Sequence, residues 1–163
     1  KPGARVLDMT AGLGTDAFIL ASYGHDVTML ERSKTVYLLV KDALKRARQD
    51  AELKPVVARL TLHHWDSTRP FLPAIGFDAA LVDPMFDEKK KSALPPGNMQ
   101  MLQAFLGRGA ELQPFLTAAQ ELGIRRTIVK RPRLDRAPAK NAVRPVYQLT
   151  GRSSRLDVFF NQV

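Results

Sequence analysis

The sequence predicts an α/β fold: a mostly parallel sheet with helices on both faces and one antiparallel strand near its C-terminal end. Three observations carry this. Short apolar runs bounded by turn residues alternate with helix-patterned segments along most of the 163 residues, as in sheets whose strands are joined by crossover helices. A glycine-rich turn, Gly12-x-Gly14, directly follows the first of those runs. The last two strand-like segments, 147–150 and 156–160, flank Gly151-Arg152-Ser153-Ser154 with no helix between them, so they close the sheet as a hairpin.

Taken in order, residues 5–9 read as a buried strand. Thr15 and Asp16 offer side-chain oxygens to cap a first helix containing Ala17, Phe18, Leu20 and Ala21, and Gly24 is placed to end it. Residues 26–31 form the second strand. Ser33 caps the next helix, in which Val36, Leu39, Val40, Ala43, Leu44 and Ala47 repeat as one buried face. Strands three and four follow at 59–63 and 77–82. The basic, proline-containing stretch 88–98 reads as a loop, and helical patterns at 99–106 and 114–122 lead to a fifth strand at 126–130. Residues 132–145 are too rich in proline and basic side chains for regular structure. With the closing hairpin the count is seven strands. No internal repeat appears, and 1–163 reads as a single domain.

Composition bounds the function. Hydrophobic residues make up 45% and charged residues 25%, an ordinary globular balance. The absence of cysteine excludes disulfides and thiolate metal sites. No apolar run is long enough to span a membrane and no signal-peptide pattern opens the chain, which predicts a cytoplasmic protein. Strand-like sequence begins a few residues after Lys1, so a preceding N-terminal region is expected in the whole protein. The net charge of +9 is one-sided: residues 1–87 hold 11 basic and 11 acidic side chains, residues 88–163 hold 14 and 5. Such an excess suits a polyanion, RNA or DNA first, although a solubilising surface fits the charge alone equally well.

The turn Asp8-Met9-Thr10-Ala11-Gly12-Leu13-Gly14 lies between the first strand and the first helix, where sheets of this kind bind ligands. Gly12 and Gly14 let the backbone approach a ligand closely. The turn suits a nucleotide pyrophosphate, or the amino-acid end of S-adenosylmethionine with Asp8 near its ammonium. Glu31 ends the second strand, where a carboxylate accepts both ribose hydroxyls of an adenosine cofactor. NAD and S-adenosylmethionine satisfy that equally. Asp66-Ser67, after the third strand, is placed to hydrogen-bond an adenine amino group, or else to make a turn. His63 and His64 lack metal-ligand spacing and read as structural. Trp65 reads as a buried aromatic.

Asp83-Pro84-Met85-Phe86 follows the fourth strand and falls beside the cofactor turn. A planar amino nitrogen delocalises its lone pair into its ring and is a poor nucleophile. Asp83 and nearby carbonyls can hold its hydrogens, Pro84 rigidifies the loop, and Phe86 supplies a stacking face. Placement then provides much of the catalysis. Lys89, Lys90 and Lys91 come next, and Lys130 and Arg131 end the fifth strand on the same edge; these read as phosphate contacts. An oxidoreductase using NAD(P) gives no role to Asp83–Phe86 or to the basic half; a non-catalytic RNA-binding module that has kept the fold is the second alternative.

These motifs, with Met29-Leu30-Glu31-Arg32, Leu81-Val82 before Asp83, Val129-Lys130-Arg131-Pro132 and Arg155-Leu156-Asp157-Val158-Phe159, resemble RsmJ-type methyltransferases. These bacterial enzymes methylate the exocyclic N2 of a guanine in 16S ribosomal RNA. The resemblance runs from about residue 3 to the end, and its most specific part is Asp-Pro-Met-Phe with the Lys-Ser-Ala-Leu stretch after it. It implies a class I, Rossmann-like methyltransferase fold and a ribosomal RNA or small-subunit substrate. It also implies S-adenosyl-L-methionine as cofactor, leaving S-adenosyl-L-homocysteine, with contacts at Thr15, Asp16, Glu31, Arg32, Asp66, Ser67 and Asp83. Thr15 stands where the family commonly has arginine, and Asp66 where it has serine. The residues alone fit adenine N6 as well; the resemblance selects guanine N2.

Overall fold

The computed structural model describes residues 2–71, 76–83, 111–134 and 143–161. Five parallel strands, β1 (Arg5–Asp8), β2 (Asp26–Glu31), β3 (Leu60–His64), β4 (Ala79–Val82) and β5 (Arg126–Pro132), make up most of one sheet. Two more, β6 (Tyr147–Thr150) and β7 (Ser154–Phe160), complete it, with β7 antiparallel to both of its neighbours. The order across the seven-stranded sheet is β3-β2-β1-β4-β5-β7-β6. All seven predicted strands are present, and β7 is the one that reverses direction. β5 runs two residues past its expected end because β7 supplies partners there, Arg131 opposite Arg155 and Pro132 opposite Ser154. A proline is tolerated at that last position, where no further ladder bond is required of it.

The two-residue pleat sorts the core into two layers. Leu7, Met9, Leu30, Val82 and Val129 pack with Phe115, Leu116, Ala118 and Ala119 of a helix at Gln113–Glu121. On the other face Val6, Val27 and Met29 meet three helices: α1 (Thr15–Ser22), α2 (Lys34–Ala47) and α3 (Lys54–Val57). The Gln113–Glu121 helix is α4. Helices therefore cover both faces, as predicted.

Local readings fare unevenly. Ser33 caps α2, its hydroxyl accepting from the Val36 N–H at 3.4 Å. Val36, Val40 and Leu44 are buried, but Leu39 and Ala43 are exposed, so the buried stripe is narrower than expected. The cap of α1 is a correction. Neither Thr15 nor Asp16 caps it; Gly14 occupies the cap position with φ of +79°, and no side chain bonds to the helix start. The Asp16 carboxylate is engaged by Lys130 instead. The short α3 was not anticipated. The segments 88–98 and 99–106, and residues 135–142 of the irregular stretch, lie outside the described residues. Among the described residues no helix is long and apolar enough to cross a membrane.

The strand order reverses between β1 and β4. From β1 the chain winds outward through β2 to β3, then returns to β4 and β5 on the other side. Connections leaving in opposite directions open a crevice at the carboxyl ends of those central strands.

Candidate active site

Each central strand delivers a charged side chain to that crevice. Asp8 ends β1, Glu31 ends β2, Asp83 follows β4, and Lys130 lies near the end of β5. Asp16 joins them from the first turn of α1. The turn between β1 and α1 is threaded beneath them by backbone bonds: Met9 N–H donates to the Leu81 carbonyl at 2.9 Å and Ala11 N–H to the Leu30 carbonyl at 3.1 Å. Gly12 and Gly14 both take left-handed backbone, φ +51° and +79°, which a side chain would oppose by roughly 1–2 kcal/mol.

Asp8 is 2% exposed and accepts from the Thr10 N–H at 3.1 Å. Burial raises its pKa from 3.8 to about 7; the Thr10 amide works against that, while Asp16, Asp83 and Glu31 add to it. Glu31 is also buried, and each of its oxygens accepts a backbone N–H, Gly12 at 3.0 Å and Ser33 at 2.6 Å. Desolvation still lifts its pKa above the ordinary value against those two bonds and the Arg32 charge. A carboxylate oxygen has two lone pairs, so this tether leaves acceptor capacity for a ribose. Arg32 follows on the exposed side.

Asp83 is fixed twice. Its N–H donates to the Thr10 hydroxyl at 2.6 Å, and its Oδ2 lies 3.1 Å from the Lys130 Nζ. Burial raises its pKa, and Lys130 opposes the rise. The same Nζ is 2.7 Å from Asp16 Oδ2. Burial disfavours the charged lysine, but the two carboxylates outweigh it and hold its pKa above the ordinary value.

Two of the expected phosphate contacts meet carboxylates within the fold. Lys130 is committed to Asp16 and Asp83 because the register pairing Val82 with Val129 brings the next residues of β4 and β5 together. Arg131 points into a buried ion pair with Asp157 at 3.1 Å, where Arg155 also binds that carboxylate. Arg131 is nearly buried, while the Lys130 side chain stays 33% exposed with its ammonium on two carboxylates. Pro84, Phe86, Lys89, Lys90 and Lys91 lie outside the described residues.

At the far side of the crevice Asp66 is exposed, and its Oδ1 accepts from the Thr68 N–H and hydroxyl at 3.1 and 2.8 Å. Burial works against the charge, yet those bonds with Arg32 and Arg69 hold its pKa below the ordinary value. Ser67 is buried, its hydroxyl donated to the Met9 carbonyl, so it ties the β3 loop to the β1 turn. His64 Nε2–H donates to the Arg32 carbonyl at 3.0 Å, and His63 packs on Phe71. Trp65 is half-buried, edge-on to Phe71, with its indole N–H on the Arg69 carbonyl.

Sequence reasoning missed Thr10. It sits inside the turn that drew attention, but only the adjacency of β1 and β4 shows its hydroxyl bracing Asp83. The acid–lysine–acid bridge was equally hidden, since its members are 114 residues apart at the widest. Among the described residues no group of three or more His, Asp or Glu side chains is placed to hold a metal. The crevice has four carboxylates, Asp8, Asp16, Glu31 and Asp83, against one embedded ammonium. Such a site favours a ligand carrying positive charge.

The model of the family described as "Putative SAM-dependent methyltransferase" matches residues 1–161. Ribosomal RNA small subunit methyltransferase J of Stutzerimonas stutzeri is 39% identical over 98% of this chain and 62% of its own length. The protein of that name from Dechloromonas aromatica is also 39% identical, over 98% and 66%. The chain thus spans less than two thirds of these relatives. Among solved structures, a SAM-dependent methyltransferase from Neisseria gonorrhoeae superimposes with a TM-score of 0.72 at 33% identity, covering 95% of this chain and 64% of that one. The glycopeptide N-methyltransferase MtfA, solved with S-adenosylmethionine, shares the fold at a TM-score of 0.55 and 18% identity, over 98% and 60%.

Proposed function

The chain belongs to the SAM-dependent methyltransferase family, and from that premise we propose that it transfers a methyl group from S-adenosylmethionine to the exocyclic N2 of a guanine in small-subunit ribosomal RNA. Residues 1–163 serve as the methyl-transfer domain of a cytoplasmic enzyme. The observation that carries the reading is the gathering of four carboxylates around a left-handed glycine turn. That crevice fits S-adenosylmethionine, whose sulfonium and ammonium are both cationic. Gly12 and Gly14 allow close approach, with Thr15 beside them. Asp8 and Asp16 face the amino-acid end, Glu31 with Arg32 takes the ribose, and Asp66 with the Ser67 backbone takes the adenine. When bound, the cofactor supplies an electrophilic methyl carbon on a positively charged sulfur.

Asp83 is the residue assigned to the acceptor. Held by Thr10 and Lys130, it accepts an N–H of the amino group and keeps the nitrogen lone pair toward the donor. The proton shed by the methylated nitrogen can pass to water. Pro84 and Phe86 complete this role by shaping the loop and stacking on the base, and a guanine in a duplex would first be flipped out. Lys89, Lys90 and Lys91 are assigned to phosphate.

The test is transfer of labelled methyl to undermethylated small subunits and to their naked RNA, followed by nucleoside analysis. N2-methylguanosine is expected, and Asp83→Ala should lower kcat by roughly 100-fold or more, the scale of losing a positioned polar group, while S-adenosylhomocysteine still raises the melting temperature. Recovery of N6-methyladenosine would reassign the base. Tight cofactor binding without transfer would favour an RNA-binding module, and stabilisation by NADH alone an oxidoreductase.

A further inference from the structure

Resting on the methyl-transfer reading, we propose that Lys130 is a positioning residue, whose ammonium orients the Asp83 carboxylate for the methyl acceptor and ties it to the cofactor-side Asp16. Its placement follows from the sheet. Parallel pairing of β4 with β5 puts Val82 beside Val129, so the next residues, Asp83 and Lys130, meet at the carboxyl edge. The third member comes from α1, which starts directly after Gly14. Lys130 Nζ then lies 2.7 Å from Asp16 Oδ2 and 3.1 Å from Asp83 Oδ2, with the lysine side chain 33% exposed. One cation therefore joins the end of β4, where the acceptor would sit, to the helix start that borders the cofactor turn.

The charges around Asp83 explain why a cation is needed. Asp16 acts on it from α1 and Asp8 from the end of β1, with Glu31 acting on Asp8 from the end of β2; Lys130, 3.1 Å away, is the cation that opposes them at Asp83. Without it Asp83 would be a half-buried acid among three others. Its carboxyl would then hold its proton to higher pH, and a protonated oxygen donates where an amino group needs an acceptor. The lysine also takes one oxygen, Oδ2, which sets the carboxylate's rotation and assigns Oδ1 to the amino group. A lysine bound this way must break two short ion pairs to reach a phosphate, which separates this role from RNA docking.

Lys130→Gln and Lys130→Arg test it by three measurements. In Lys130→Gln the Asp83 midpoint, followed by carboxyl carbon NMR and assigned with Asp83→Asn, should rise by about one unit or more, the usual effect of losing an adjacent opposite charge. kcat should fall at least tenfold with the KM for RNA within about twofold, and the acid limb of the kcat profile should move to higher pH by the same amount. Lys130→Arg, which keeps the charge, should leave the midpoint near the wild-type value and recover part of kcat. It carries the test alone if the glutamine variant does not fold, because a midpoint raised despite the retained charge would overturn the assignment. An unchanged midpoint in Lys130→Gln overturns it too, as does a raised KM for RNA with kcat intact, the behaviour of a phosphate ligand. If the wild-type protein transfers no methyl at all, the functional reading falls, while the NMR titration still decides the role of Lys130.

Discussion

On the proposed function, Asp8 is the residue at which cofactor binding and protonation would meet. Its pKa near 7 in the folded chain exceeds its ordinary 3.8, chiefly through burial. A raised folded-state pKa means that the folded chain binds the proton more tightly than the unfolded one. The stability this contributes is fully present below about pH 4 and is lost as pH rises through about 7. A cationic ligand beside Asp8 favours the carboxylate and should therefore expel the proton. Calorimetry of S-adenosylhomocysteine binding near pH 6.5, in two buffers of different ionisation heat, should show proton release, with affinity rising as pH goes from 6 to 8. Asp8→Asn should abolish the release; proton uptake would contradict this account. Glu31 is less exposed to such control, because two backbone N–H bonds already anchor its oxygens.

Between elements, the β5–β7 pairing is tied by a buried polar cluster. Asp157, 1% exposed, receives Arg155 at 2.7 and 3.1 Å, Arg131 at 3.1 Å and the Gln148 amide at 2.8 Å. Three strands converge on one carboxylate, and this cluster underlies the end of β5 that carries Lys130. Asp157→Ala removes the carboxylate shared by two nearly buried guanidinium groups, a loss of about 3–5 kcal/mol. Thermal unfolding should shift down by roughly 10 °C for a chain of this size. A shift under about 2 °C would mean that the arginines find solvent easily. This cluster also explains why Arg131 does not join the basic surface: an arginine beside a buried carboxylate on the neighbouring strand is held there by charge and by the ladder.

For the whole molecule, the one-sided +9 has to be redistributed. Lys130, Arg131 and Arg155 belong to internal ion pairs, so three of the 14 basic residues in 88–163 neutralise acids within the fold. On the proposed function, RNA attraction would then fall to the other cations, Lys89, Lys90 and Lys91 foremost. Replacing those three with alanine should weaken RNA binding and flatten the dependence of log K on log salt by about 2–3, since each phosphate contact adds roughly 0.7–0.9 to that slope. S-adenosylhomocysteine affinity should not change. An unaltered salt slope would move the RNA contact elsewhere on the chain.

From the sequence alone, the succession of strands and helices, the glycine turn, the acidic ends of β1 and β2 and the basic tilt of the second half were legible. Those features are local: apolar periodicity, glycine's left-handed freedom and the sign of a side chain are readable within a few residues of themselves. The contacts themselves were not local. That Gly14 rather than Thr15 or Asp16 occupies the cap of α1, that Thr10 braces Asp83, and that Lys130 and Arg131 pair with carboxylates followed from how the elements came together. Charge counted along a chain treats every lysine and arginine as available. Sheet register decides which of them find a carboxylate within 3 Å or so and are no longer available, and that register exists only once β4, β5 and β7 lie side by side.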